Sequence, residues 1–137
     1  MELTADFDLD TIRTTLHLLG VTVWIGGQIV LVALVPLLRS LGGDAARLAA
    51  QRFSQVAWPF FGLIVITGIW NVAELDVTDA STGYNLVLGL KLVLVAATGL
   101  GAFVHANTES TVVRAVTGAG GMIAGLGAFV CGVMLVS

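Results

Sequence analysis

"TTLHLLGVTVWIGGQIVLVALVPLLRS", from Thr14 to Ser40, contains a long run of apolar residues. A helix rises 1.5 Å per residue, so about twenty apolar residues cross the hydrocarbon layer of a bilayer. The stretch is long enough, and we predict that it forms a transmembrane helix. His17 and Gln28 stand out within it, because a polar side chain inside a membrane helix needs a partner or a function.

The composition extends this prediction to the whole chain. Of the 137 residues, 57% are hydrophobic and only 11% are charged, too few for the surface of a soluble domain. The apolar runs lack the alternation that membrane barrels show, so helices are expected. The net charge of -3 and the lack of a basic cluster argue against a nucleic-acid partner. We therefore predict an all-α integral membrane protein whose surroundings are the lipid bilayer.

Four apolar stretches predict a four-helix bundle that forms one transmembrane domain over residues 1–137. The predicted spans are about 11–38, 56–73, 84–106 and 112–136. The second helix is expected to extend back to residue 44 on the cytoplasmic side.

Charges in the loops predict the orientation. The first loop carries Arg39, Arg47 and Arg52, whereas the second loop carries acidic residues and no basic one. Basic loops stay in the cytoplasm. Both termini are therefore predicted to lie on the outer, periplasmic or extracellular, side.

This orientation allows depths to be compared between helices. His17 is expected about 9 Å inside the outer boundary, and Lys91 lies at a similar level on a helix that runs in the same direction. The second and fourth helices run back outward and bring further groups there. The outer half is expected to collect His17, Lys91, Thr67, Trp70, Asn71, Cys131 and Met134, with Trp24 near mid-span.

Each of these residues has a functional and a structural interpretation. A lysine at the centre of a span costs about 2.5–3.5 kcal/mol on insertion scales, so Lys91 indicates a site unless its stem reaches the interface. His17 is either a ligand or a hydrogen-bonding partner of a neighbouring helix. Gln28 is predicted to hydrogen-bond between helices. His105 is expected at the cytoplasmic end of the third span, too far from His17 to share one metal ion.

Sulfur ligands suggest a metal. Cys131 and Met134 are three residues apart and share a helix face, and Cu(I) prefers sulfur while imidazole suits both copper and haem iron. Both residues are also ordinary apolar fillers of helices. The predicted metal ligands are His17, Cys131 and Met134, and the predicted cofactor contacts are His17, Lys91, Trp24, Trp70 and Asn71.

Small residues on the fourth span predict close helix packing. Gly121 and Gly125 form a GxxxG pair, and Thr117 continues the same stripe. This spacing lets two helix backbones approach in lipid. The stripe either packs within one bundle or forms a homodimer.

Several segments resemble the copper resistance protein D domain. They are "HLLGVTVWIGG" (His17–Gly27), "RFSQVAWPFFGLIVITGIWN" (Arg52–Asn71), Tyr84, and "LKLVLVAATGLGAF" (Leu90–Phe103). The resemblance covers about Leu16 to Ala106. It implies a multi-pass protein of the bacterial inner membrane that handles copper for tolerance or uptake. Because full members of that family are often longer, it also implies an oligomer or another membrane subunit as partner.

A second resemblance is to the membrane protoporphyrinogen oxidase with a His-then-Trp-Gly first helix and a lysine opening a later helix. It implies a haem b site, with His17 as axial ligand and Lys91 as a second functional residue. The Pro-Arg-Leu expected after the first helix is only approximated by "VPLLR" (Val35–Arg39). The sequence therefore leaves open a copper-handling protein, a haem redox protein or enzyme, and a non-catalytic membrane subunit.

Overall fold

The chain folds into four long helices with no strand in the part that the structure describes. The structure is a computed structural model that describes residues 7–137, and 85% of it is helical. All four helices are long and apolar enough to cross a membrane, which confirms the predicted all-α membrane class. They are α1 (Leu9–Ser40), α2 (Ala45–Ala73), α3 (Thr82–Asn107) and α4 (Thr111–Met134).

The chain divides into two compact units, Met1–Leu75 and Asp76–Ser137. Each unit is an antiparallel helical hairpin. Large apolar side chains remain exposed on every helix, for example Leu18 at 55%, Ile66 at 66%, Val93 at 65% and Val116 at 65%. In a membrane protein such side chains face lipid rather than water. The orientation of the termini stays a prediction.

A glycine pair closes the first hairpin. Gly42 and Gly43 have φ of 73° and 58°, a left-handed conformation that a Cβ disfavours. Asp44 directly precedes α2, and its carboxylate accepts hydrogen bonds from Arg47 (Nε to Oδ1, 3.3 Å; Nη2 to Oδ2, 2.9 Å) and none from a backbone N–H at the start of the helix. These hydrogen bonds and the guanidinium charge hold the pKa of Asp44 below its usual value. The turn is therefore fixed by backbone conformation and an exposed ion pair.

The first hairpin packs along a seam in which small residues meet large ones. A Cβ on Gly20 would lie 2.7 Å from Cγ1 of Ile64, and one on Gly27 would overlap the ring of Phe53. Ala57 is 2% exposed on the facing side of α2. The glycines let α1 approach α2 closely, because dispersion contacts replace the hydrophobic effect between helices in lipid.

A π-helical segment, Thr22–Gly26, interrupts α1 near its middle. Gln28 Nε2 donates a hydrogen bond of 2.9 Å to the carbonyl oxygen of Trp24 at this point. The prediction that Gln28 bonds between helices is therefore wrong: its amide supports the irregular backbone of its own helix. Such segments frequently accompany functional sites.

In the second hairpin, α3 and α4 also pack against each other through glycines. A Cβ on Gly101 of α3 would lie 2.9 Å from Cα of Gly121 and 3.0 Å from the Thr117 carbonyl oxygen. Gly125 is buried on the same helix as Gly121. Gly121 thus faces α3 within its own unit, while a homodimer through α4 stays a prediction.

Candidate functional site

A hydrogen bond between α1 and α2 fixes the histidine that the apolar run carries. His17 Nδ1 lies 2.8 Å from Thr67 Oγ1. Thr67 is only 2% exposed, and His17 is half-buried. Residue counting along antiparallel helices places Thr67 near His17, and the contact agrees with this placement.

The partners of Thr67 decide which ring nitrogen of His17 carries hydrogen. The Thr67 hydroxyl donates its one proton to the Leu63 carbonyl oxygen, at 2.6 Å. Oγ1 must therefore accept from His17, so Nδ1 is protonated. In the neutral ring this leaves the lone pair on Nε2, the form in which imidazole binds a metal. Thr67 thus fixes the orientation of the His17 ring.

Arg13 lies one turn before His17 and was not among the predicted residues. Its guanidinium carbon lies 5.8 Å from the centre of the Trp70 ring, and its Nη2 lies 3.1 Å from Asp10 Oδ1. Trp70 Nε1 in turn donates to Glu74 Oε1 at 3.3 Å. The spacing contains the missed signal: Arg13 and His17 are four residues apart, as are Trp70 and Glu74, so each pair shares a helix face.

The other predicted residues of the first unit are not part of this contact. Trp24 is 3% exposed and packs against Trp58 and Phe61, with ring centres 5.4 and 4.5 Å away. Asn71 is half-buried, and its side chain makes no hydrogen bond within residues 7–137. The site of the first unit therefore consists of His17 and Thr67 together with Arg13 and Trp70.

In the second unit, Lys91 lies against the backbone of α4. Its Nζ is 3.3 Å from the position that a Cβ on Gly132 would take, beside Cys131. It makes no hydrogen bond or ion pair with the residues that the structure describes. Cys131 is 5% exposed, whereas Met134 is 57% exposed. The two sulfur residues thus differ sharply in burial although they are three residues apart.

His105, near the end of α3, has its own fixed tautomer. Nδ1 lies 2.7 Å from the Arg114 carbonyl oxygen, which can only accept, so Nδ1 carries hydrogen. A Cβ on Gly118 would lie 2.7 Å from the same nitrogen. The ring therefore links the two ends of the loop between α3 and α4.

No ready-made metal cage accompanies these residues. Within residues 7–137, no group of three or more His, Cys, Asp and Glu side chains is arranged to hold a metal ion. The predicted ligands are drawn from both units, with His17 in the first and Cys131 and Met134 in the second. What the geometry offers is one oriented imidazole with a cation one helical turn away.

These features define a multi-pass membrane protein with a polar site inside a helical hairpin. Residues 47–136 match the family described as copper resistance protein D, more than half of the chain. The chain therefore belongs to the copper resistance protein D family. The match includes α4 and begins within α2, so α1 with His17 lies outside it, in contrast to the resemblance noted over Leu16 to Ala106. No curated protein and no solved structure matches the chain significantly.

Proposed function

We propose that this membrane protein handles copper, in tolerance or uptake, and that His17 binds the ion through Nε2. The observation that carries the proposal is the hydrogen bond between His17 Nδ1 and Thr67 Oγ1, because Thr67 donates to the Leu63 carbonyl oxygen and the neutral ring then has its lone pair on Nε2. A second polar group that orients a ligating histidine is the usual companion of a metal site. Membership of the copper resistance protein D family is the reason to propose copper as the metal.

The proposal places the site in the outer half of a bacterial inner membrane. It rests on the arginines of the first loop, which favour a cytoplasmic position for the turn between α1 and α2. His17 lies toward the opposite end of the hairpin. Copper would then reach His17 from the outer side of the membrane. Cys131 and Met134 stay predicted ligands of the second unit, since Cu(I) favours sulfur.

A second candidate function is haem binding with His17 as axial ligand. Arg13 favours it, because a guanidinium next to a bound copper cation is repulsive, whereas it pairs well with a propionate. An axial histidine is the usual haem ligand in globins and peroxidases. The third alternative, a non-catalytic subunit, predicts that neither ligand binds.

The experiment compares two histidine variants of the full chain, purified in detergent. We expect the wild type to bind copper, His17→Ala to lose binding at least tenfold, and His105→Ala to retain it. His105 is the matched control because its Nδ1 is also fixed by an oxygen, whereas its ring is exposed and that of His17 is half-buried against α2. Absorption spectra after addition of haem b test the second candidate through a Soret band that His17→Ala removes. Binding of neither copper nor haem by the wild type would contradict both functions.

A further inference from the structure

Toward the glycine turn, the two helices of the first hairpin differ in polarity at the same depth. A Cβ on Gly27 of α1 would overlap the ring of Phe53 of α2, so this contact fixes the level of one helix against the other. Arg52 precedes Phe53 and therefore lies close to the level of Gln28. From there toward the turn, α1 stays apolar up to Leu38, whereas the facing stretch of α2 contains arginines and glutamines.

The exposed side chains of α1 show what surrounds the hairpin at this level. Three of them follow Gln28 and are about half exposed, namely Ile29 at 45%, Val30 at 58% and Val32 at 59%. In a membrane protein such side chains contact lipid acyl chains. Headgroups form the outer layer of each leaflet, about 5–7 Å thick. Arg52 therefore lies where the acyl chains meet the headgroups and not in bulk water.

The charge of Arg52 has no acidic partner among the described residues. Its Nη1 donates to the neutral Gln55 Oε1 at 3.0 Å, the one hydrogen bond of its side chain within residues 7–137. Arg47, on the same helix, instead donates to both carboxylate oxygens of Asp44, at 3.3 and 2.9 Å. An arginine beside hydrocarbon favours an anionic partner, because a low dielectric constant strengthens the attraction between charges.

The surface around Arg52 has room for such a partner. An open groove of about 430 Å³ follows one face of α2 and is lined by Leu48, Gln51, Arg52 and Gln55. Nε and Nη2 form the edge of a guanidinium that donates to two oxygens of one phosphate. In Arg52 neither atom has a hydrogen bond within the described part of the chain. The groove thus combines a free pair of donors with an apolar side chain, Leu48.

We propose that this groove binds the phosphate of an anionic phospholipid, with Arg52 as the paired donor and Leu48 against the glycerol and acyl carbons. A lipid is the occupant because the exposed side chains of α1 place acyl chains at the same level as the guanidinium. On the predicted orientation this lipid belongs to the cytoplasmic leaflet, which carries the negative surface potential. The inference goes beyond the proposed function and does not depend on metal binding at His17.

Spin-labelled lipids test the proposal on the full chain reconstituted in phosphatidylcholine vesicles. Electron paramagnetic resonance measures how much labelled phosphatidylglycerol and how much labelled phosphatidylcholine is immobilised at the protein surface. We expect the wild type to associate with phosphatidylglycerol about fivefold more strongly, the contribution of one arginine near a membrane surface. Arg52→Gln is expected to associate with the two lipids within about twofold of each other.

Two further variants separate a defined site from general charge attraction. Arg52→Lys keeps the charge but lacks the paired donors, so we expect it to keep only about a twofold preference. Arg47→Gln is the matched control, because it removes the same charge from the same helix but from a guanidinium that Asp44 already neutralises. It should keep the wild-type preference, and circular dichroism should show the same helical content in all variants.

Three results would overturn the proposal. Equal association of the two lipids with the wild type would exclude an anionic lipid site. A preference that persists in Arg52→Gln, or that Arg47→Gln reduces equally, would assign the preference to the overall charge of the hairpin end. Release of labelled phosphatidylglycerol by inorganic phosphate at constant ionic strength would show that the groove binds free phosphate and not a lipid.

Discussion

Replacement of Thr67 by valine tests whether the hydroxyl orients His17 for metal binding. Valine preserves the shape of a residue that is 2% exposed but removes the acceptor that lies 2.8 Å from Nδ1. The ring is then no longer held with its proton on Nδ1. Loss of such an orienting group typically lowers metal affinity about 10–100-fold, or about 1.4–2.8 kcal/mol. We expect Thr67→Val to weaken copper binding by that amount while the protein stays folded.

The assay is a competition titration with a chelator of known copper affinity on purified wild type and variants. Thr117→Val is the matched control, because its hydroxyl donates to the carbonyl oxygen four residues earlier, at 2.7 Å, as Thr67 does at 2.6 Å. Thr117 contacts no histidine through that hydroxyl. Equal copper affinities in wild type and Thr67→Val would refute the orienting role. Equal losses in the two variants would show that the effect is general destabilisation.

Two further predictions concern packing and orientation. Gly101→Ala should lower the free energy of unfolding by about 1–3 kcal/mol, because its Cβ would lie 2.9 Å from a backbone atom of α4. Gly89→Ala on the same helix is the control and should leave the free energy of unfolding unchanged, because a Cβ there meets nothing within 4 Å. Unfolding of both variants in mixed micelles measures the difference. In intact cells, a membrane-impermeant maleimide should label Asp79→Cys and spare Leu41→Cys until the membrane is opened, with little background from Cys131, which is 5% exposed. The reverse labelling pattern would contradict the predicted orientation.

The helices could be predicted because length and hydropathy alone decide whether a segment crosses a membrane. The position of Thr67 near His17 could be predicted as well, since antiparallel helices place residues at equal depth by counting from their ends. Neither inference needs the direction of a side chain. Both concern the average environment of a residue and not its individual contacts.

Arg13 and Gln28 show where this reasoning ends. The spacing places Arg13 on the helix face of His17, but it does not indicate that the guanidinium lies over the Trp70 ring. Gln28 is spaced like an interhelical contact, yet it bonds the carbonyl of Trp24, because the backbone there is π-helical. That segment contains no proline, the residue from which a helix irregularity is usually predicted. Side-chain direction and helix irregularity depend on packing, which the pattern of apolar residues does not encode.

The π-helical segment also sets the rotation between the two halves of α1. Each residue of an α-helix turns the chain by about 100°, and a π turn holds one residue more than an α turn. Thr22–Gly26 lies between the half with Arg13 and His17 and the half that leads to the glycine turn. Removing one residue within this segment would turn the π turn into an α turn and keep that rotation, whereas removing one from the α-helical turn between His17 and Thr22 would rotate His17 about 100° away from Thr67 without changing the hydropathy of the helix. Helical phase is therefore part of this site, and a one-residue deletion that leaves every site residue in place would abolish it as completely as loss of the histidine.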